Sequence, residues 1–534
     1  MQRLLVANRG EIALRIFRAC AAEGIETVAV AAPDDRGALH ARSAGRSVEI
    51  ASYLDPAEHV RAAREADADA VHPGYGFLSE SAELAEAVLA AGLTWIGPPP
   101  DALRAGGDKL AAKRTAAAAG VPVLPSGSPA ELGLPLLVKA AAGGGGRGMR
   151  VVRSADELDD AVAAARREAA AAFGDDTVFF ERYLERPRHV EIQILADTHG
   201  NVVALGERDC SVQRRHQKVL EESPVLDPVL RAQMSDAAVA FARAIGYVSA
   251  GTAEFVLDGR DFYFLELNAR IQVEHPVTEL VTGVDLVREQ LRIARGDPLR
   301  VTRCYLDGHA VEVRLYAEDP RTFLPQAGRV ERLRLPSGVR VDAGVAEGDE
   351  IGTSYDPMIA KLVAHGANRA EALDRLAAAL RETEVGGVTT NLPFLRWLVS
   401  HPVVRAGRAT TAFLAENPPL SEHGTRAPAE VWSRAWRLNL PAPPPRAAPN
   451  VDDAALEHAP TAEQSTVTAP MPGTVLKVLV QEGARVTARQ PLVVLEAMKM
   501  ETPLVSPYDA TVRAVHVGEG DRVAGGAVLV ELDE

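Results

Sequence analysis

The run LVKAAAGGGGRGMR, residues 137–150, presents four consecutive glycines just after a β-rich stretch. Backbone N–H groups in such a loop can close around phosphate oxygens, although a flexible surface loop reads the same way. Lys139 stands just before the glycines and Lys109 stands in GGDK, so two ammonium groups are on offer to one polyanion. The G-K-[ST] of a Walker loop is lacking. A second group of residues runs from Asp261 through DFYFLELNARIQVEHP. In extended chain Glu266, Asn268, Arg270, Gln272 and Glu274 fall on one face. Glu254 lies on the partner strand across an Asp258-Gly259 turn, so carboxylates can converge from two strands. Two carboxylates and an amide oxygen form a hard-oxygen set suited to Mg²⁺, with phosphates completing the shell. Arg270 and Glu274 would follow as an anion clamp and a base. The plainer alternative is a half-exposed strand with a solvated face. In RDCSVQRRHQK, residues 208–218, Arg208, Arg214, Arg215, His216 and Lys218 crowd together, as a solvated face or as a site for an anionic substrate.

Lysine is scarce. Only Lys109, Lys113, Lys139, Lys218, Lys361, Lys477 and Lys499 occur among 58 basic residues. Arginine-biased coding accounts for most of this, yet each remaining lysine marks a place where a compact ammonium or a nucleophilic amine is useful.

The elements that must hold these residues follow from the rest of the chain. At ~150 residues per domain, 534 residues make about three or four domains. A net charge of −15 argues against a general nucleic-acid binder. Cys20, Cys210 and Cys304 are far apart, which excludes a disulfide framework or a thiolate zinc site and suits a reducing cytosol. No apolar run nears the ~18 residues of a membrane span, and Arg9 and Glu11 stand where a signal peptide is apolar, so a cytoplasmic protein without membrane contact is expected. Residues 1 to about 113 alternate β-rich runs (LLVANRG, ETVAVAAP, DAVHPGYG, LTWIGPPP) with Ala-rich helices, which predicts a parallel α/β sheet. Residues 114–320 mix helices with hairpins, and 321–420 read as α+β. A connector over 421–465 ends in the Pro/Ala-rich linker 441–465.

Residues 466–534 repeat themselves. A shift of 37 positions lays GTVLKVLVQEGARVTARQPLVVL (473–495) over ATVRAVHVGEGDRVAGGAVLVEL, predicting a small two-fold barrel or flattened sandwich. Lys499, flanked by Met498 and Met500 in LEAMKMETPL, falls between the halves, on an exposed turn.

Together these motifs resemble the α subunit of a biotin-dependent acyl-CoA carboxylase. The motifs are ANRGEIA, HPGYGFLSE, KAAAGGGGRGMR, ERDCSVQRRHQK, FLELNARIQVEHPVTE, RLYAEDP and EAMKMET. The resemblance implies a biotin carboxylase of ATP-grasp type over about 1–420, followed by an all-β, lipoyl-like biotinyl domain. It implies that Lys109, Lys139, Gly145 and Gly146 hold the ATP phosphates. Glu181, Arg182, Tyr183 and Leu184 resemble the hinge that reads adenine, with His189, Gln213 and His216 near the ribose and phosphates. Glu254, Glu266 and Asn268 would hold Mg²⁺ or Mn²⁺. Lys218, Arg270, Gln272 and Val273 resemble the bicarbonate pocket, Glu274 the base, Arg314 the contact to the biotin enolate, and Lys499 the biotinylated lysine. The implied chemistry is ATP-driven activation of bicarbonate to carboxyphosphate, then carboxylation of biotin. The implied partners are a separate carboxyltransferase (β) subunit and a biotin protein ligase, in a homo-oligomer within a larger complex.

Departures from the family pattern are specific. Arg182 stands where lysine is more usual. The stretches around residues 51–56 and 127–133 look about ten residues short. The 45 or so residues before the carrier are too few for the helix-plus-barrel domain that docks the carboxyltransferase in many relatives. Trp432 and Trp436, four apart, are the alternative docking element, or else cap the carboxylase core. A pyruvate-type acceptor, a regulatory protein with a dead ATP-grasp and a lipoyl carrier are the competing readings.

Overall fold

The computed structural model describes residues 1–140, 149–173, 176–214, 217–419, 466–470, 473–497, 500–523 and 526–533. Four of the β-rich runs in the first hundred residues are strands of one wholly parallel sheet: β1 (Arg3–Val6), β2 (Glu26–Ala31), β4 (Ala70–His72) and β5 (Thr94–Trp95). A fifth, β3 (Arg46–Glu49), completes the order β3-β2-β1-β4-β5. Sequence patterning missed β3 because it is a sheet edge with only Val48 buried. Alternate residues of β1 face opposite cores, Leu5 with Val28 and Val71, and Leu4 and Val6 with Ile12 and Ile16 of the helix Gly10–Ala22.

Strands β6 (Leu136–Ala140), β7 (Arg150–Val152) and β8 (Val178–Arg182) form a small antiparallel sheet in the order β7-β6-β8. The main scaffold is a larger antiparallel sheet built from β9 (Arg188–Ala196), β10 (Val202–Arg214), β11 (Gln217–Ser223), β12 (Ser249–Asp258), β13 (Asp261–Asn268) and β14 (His309–Tyr316). Its order is β13-β12-β9-β10-β11-β14, continued by the strands Met358–Gly366 and Arg340–Ala343.

The β12–β13 hairpin turns at Gly259, whose φ of +63° suits glycine, and its register sets Glu254 opposite Glu266. The extended run expected through Glu274 is shorter than its parity suggested. Strand β13 ends at Asn268, and Glu274 is the N-cap of the helix His275–Thr282, which has Pro276 in its first turn. Proline lacks the N–H a strand needs and fits a helix start, so the chain leaves the sheet here.

The carrier repeat is realised strand by strand. Gly473–Val478, Arg485–Val486 and Pro491–Ala497 recur 37 positions on as Ala510–Val515, Arg522–Val523 and Val528–Asp533. They form two four-stranded sheets, and each half lends its short middle strand to the other: 485–486 pairs with 510–515, and 522–523 with 473–478. Lys499 and Met498 lie outside the described residues, as do Trp432, Trp436 and the 441–465 linker. Among the described residues no helix is long and apolar enough to cross a membrane.

Candidate active site

One cavity of about 770 Å³ collects residues from the parallel sheet, the large sheet and the loop after β13. Lys109, Lys218, His189, Glu254, Glu266, Asn268, Arg270, Gln272, Val273, Glu274 and Arg314 all line it. Lys218 on β11 is its centre. Its ammonium donates to Glu254 at 2.7 Å and to Glu274 at 2.6 Å, and also meets Glu191. Strands β11 and β12 are three positions apart in the sheet, so Lys218 and Glu254 meet by reaching across the two strands between them.

Glu254 is fully engaged. Oε1 accepts from Asn268 at 2.8 Å besides Lys218, and Oε2 faces His189 Nε2 at 3.0 Å. Burial favours the neutral acid, but Lys218 and His189 outweigh it and hold this carboxyl below the usual range. Burial would lower His189, yet Glu254 raises it. Glu266 stands 3.8 Å from Lys109, and burial followed by the Glu254 charge pushes its carboxyl up. The two carboxylates face each other across the hairpin, and among the described residues Glu266 makes no ion pair closer than the 3.8 Å to Lys109, which suits an added cation.

Arg270 is steered by its neighbours, donating to Gln272 Oε1 at 2.8 Å and to Asn268 Oδ1 at 2.9 Å, with Glu80 3.3 Å from its Nε. Glu274 has almost no exposed surface. Beyond Lys218 it accepts from Arg314 at 2.9 Å. Burial raises it, but Lys218, Arg314 and Arg208 together hold it ionised, well below the carboxylate norm. Arg314 in turn donates to Glu221 at 2.7 Å.

Two further lysines form a second knot. Lys139 on β6 donates to Glu181 Oε2 at 3.0 Å, and Lys113 pairs with the other oxygen of the same fully buried carboxylate. Burial and the neighbouring lysine charges pull Lys113 down to about 7 and Lys139 down to about 8. Lys113 was missed from sequence as a site residue, although it stands one helical turn after Lys109. Arg182, Tyr183 and Leu184 continue from Glu181 at the end of β8, and like Lys113 and Lys139 they are not on the cavity wall. Gln213 turns its amide to the Cys210 carbonyl. Gly145, Gly146, Arg215 and His216 lie outside the described residues.

The basic run 208–218 divides on inspection. Arg208 and Arg214 are buried and neutralised internally, by Glu191 at 2.6 Å and Glu318 at 2.7 Å, so neither offers a charge to a ligand. Among the described basic residues of this run, Lys218 is the one that lines the cavity. Glu191 and Glu80 also escaped the sequence reading. Glu191 was signalled by polar residues at every second place (His189, Glu191, Gln193) in an otherwise apolar strand.

Opposed carboxylates and the basic side chains Lys109, Lys218, Arg270 and Arg314 in one cavity, with the Lys113–Glu181–Lys139 cluster as a separate knot, fit an ATP-dependent ligase. Four sequence families match in chain order: "Biotin carboxylase, N-terminal domain" over residues 1–103, "Carbamoyl-phosphate synthase L chain, ATP binding domain" over 108–302, "Biotin carboxylase C-terminal domain" over 312–416 and "Biotin-requiring enzyme" over 465–532. The chain belongs to the family of biotin-dependent carboxylase α subunits, in which a biotin carboxylase is joined to its carrier domain.

It is 41% identical to the biotin-dependent acyl-coenzyme A carboxylase alpha3 subunit of Mycobacterium leprae, covering 99% of this chain and 98% of the relative. It is 46% identical to the propionyl-CoA carboxylase alpha chain of Ruegeria pomeroyi over 80% of this chain and 69% of that one. A crystal structure of the biotin carboxylase domain dimer of Hydrogenobacter thermophilus 2-oxoglutarate carboxylase, holding MgADP, ADP and bicarbonate, superposes with a TM-score of 0.76. That domain is 42% identical, and the match covers 78% of this chain and 98% of the other.

Proposed function

We infer that this chain performs the first half-reaction of an acyl-CoA carboxylase, activating bicarbonate with ATP and loading the carboxyl group onto biotin carried at Lys499. The observation that carries the reading is the single lysine, Lys218, tying Glu254 of the opposed carboxylate pair to Glu274 beside Arg314.

In this reading Lys109, Lys139, Gly145 and Gly146 take the phosphates, with Lys113 paired to the same Glu181 as Lys139. Glu181 to Leu184, His189, Gln213 and His216 complete the nucleotide site. Glu254, Glu266 and Asn268 supply the hard oxygens that fit Mg²⁺, which when bound neutralises charge as the γ-phosphoryl group moves. Bicarbonate sits among Lys218, Arg270, Gln272 and Val273. Glu274 accepts its proton, and the freed oxygen attacks the γ-phosphorus as the bond to the bridging oxygen of the β-phosphate breaks, giving carboxyphosphate and ADP. Lys218 and Arg314, which now hold Glu274 ionised, turn toward the incoming anions and so leave Glu274 a stronger base. Carboxyphosphate then divides into CO₂ and phosphate, and the phosphate serves as the base of the second step. Biotin supplies the nucleophilic nitrogen, and Arg314 steadies the negative charge that develops beside it.

The carboxyl group passes to a separate carboxyltransferase subunit and an acyl-CoA of acetyl or propionyl type, with Trp432 and Trp436 as the docking element. A biotin protein ligase modifies Lys499. A homo-oligomer within a larger complex completes this reading. The test is ATP cleavage by the purified chain with and without bicarbonate and free biotin. Cleavage that requires bicarbonate and rises with biotin supports the reading. Cleavage indifferent to bicarbonate overturns it.

A further inference from the structure

Beneath Arg314 lies a carboxyl pair that the scheme above does not use. Glu221 on β11 and Glu312 on β14 are directly opposite in the antiparallel register and have no exposed surface. Such cross-strand partners place their Cβ atoms roughly 5 Å apart, within reach of a hydrogen bond between their side chains. One oxygen of Glu221 accepts from Arg314 Nε at 2.7 Å and faces Nη2 at 2.6 Å. Its other oxygen, and both oxygens of Glu312, meet no donor among the described residues.

The nearby cations are already committed. Arg314 serves Glu221 and Glu274, while Lys361 lies 3.1 Å from Glu11 and donates to the Val273 carbonyl at 2.7 Å. The helix His275–Thr282, which covers this part of the sheet, contributes the Glu274 carboxylate at its cap and His275, whose Nδ1 faces the Gln272 carbonyl at 2.7 Å. A second ionised carboxylate on the partner strand would be buried against like charge without a counter-ion. A proton on Glu312 resolves this, because the acid O–H can donate to the bare oxygen of Glu221.

We propose that Glu312 is a positioning residue held as a neutral acid, whose proton fixes the Glu221 carboxylate and, through it, the Arg314 guanidinium for the biotin step. Burial also pushes Glu312 well above the usual carboxylate range and Glu221 up to about 7. The idea rests on the reading of Arg314 given under the proposed function.

Three variants of the full chain test it: Glu312→Gln keeps a neutral donor, Glu312→Leu removes the donor at similar size, and Arg314→Met removes the guanidinium. Glu312→Leu should lower kcat for free-biotin-stimulated ATP cleavage by roughly 10- to 100-fold, with KM for ATP and bicarbonate unchanged. Glu312→Gln should restore the rate to within about threefold of wild type. Infrared spectra of the wild type should contain the carbonyl stretch of a protonated carboxylic acid that persists through neutral pH and is absent from Glu312→Gln. A Glu312→Gln enzyme as slow as Glu312→Leu, an unaffected Glu312→Leu, or a wild type lacking that band overturns the proposal. Should Glu312→Leu fail to fold, the infrared comparison decides alone. If Arg314→Met leaves the biotin-stimulated rate intact, the reading of Arg314 falls. If Arg314→Met is slow and Glu312→Leu is normal, only the shared proton falls.

Discussion

The ammonium of Lys361 lies 2.7 Å from the main-chain carbonyl of Val273 and has no exposed surface. The loop that delivers Arg270, Gln272 and Glu274 to the cavity is thus tied down from the sheet beneath it. Lysine is seldom fully buried unless paired, and here Glu11 at 3.1 Å supplies the pair.

Lys361→Met should therefore leave Glu11 and Asp342 without a cation they share, costing about 3–5 kcal/mol of stability. Adding Glu11→Gln removes one orphaned charge and should recover part of the loss. Urea unfolding of the wild type, both single variants and the double variant measures the coupling. Additive losses would show that the ion pair contributes nothing.

Glu266→Gln removes one of the two opposed carboxylates. Bicarbonate-dependent ATP cleavage should fall by roughly 10²-fold or more, with the fold intact by circular dichroism. Near wild-type turnover at saturating Mg²⁺ would remove Glu266 from the metal set.

Lys499→Arg keeps the charge and loses the nucleophilic amine. Streptavidin should no longer detect the purified chain, while ATP cleavage stimulated by free biotin should persist, because the cavity lies within residues 8–358. A surviving streptavidin signal would direct attention to Lys477.

His72 predicts an acid limb of stability. Burial lowers its pKa from 6.5 to about 4, and its Nδ1 accepts from the Gly74 N–H at 3.0 Å, which requires a neutral ring there. The unfolded chain binds this proton near pH 6.5, whereas the folded chain does so only near 4. Stability is therefore complete above the unfolded value and declines as pH falls from 6.5 toward 4, by about 3 kcal/mol in all. His40, His59 and His275, also lowered by burial, steepen the same limb. In urea titrations between pH 7 and 5, His72→Gln should flatten the slope by about 0.9 kcal/mol per pH unit on average. An unchanged slope would mean that His72 titrates normally in the folded chain.

Much of this architecture was legible because it depends on local pattern. Short β-rich runs between Ala-rich helices located four of five strands of the parallel sheet, and the 37-residue repeat located the matching strands of the carrier. The opposed Glu254 and Glu266 followed from one glycine turn. What sequence could not show depends on distant partners. Arg208 and Arg214 look as available as Lys218 in the chain, and only the folded sheet shows that Glu191 and Glu318 neutralise them. Parity grouped Glu274 with Glu266 although one caps a helix and the other lies in a strand. The grouping works because the loop between them returns to the same cavity.

The large sheet has a consequence for anyone dissecting this chain. Families meet between residues 302 and 312, yet β14 (His309–Tyr316) straddles the second of these limits and is hydrogen-bonded to β11, before it, and to Met358–Gly366, after it. A fragment beginning at residue 312 would present the β14 edge as a bare row of N–H and C=O groups, a template for aggregation. A fragment ending at 302 would leave the β11 edge equally bare. The carboxylase portion is thus one indivisible unit of expression, with its practical cutting point after the C-terminal family match ends at residue 416.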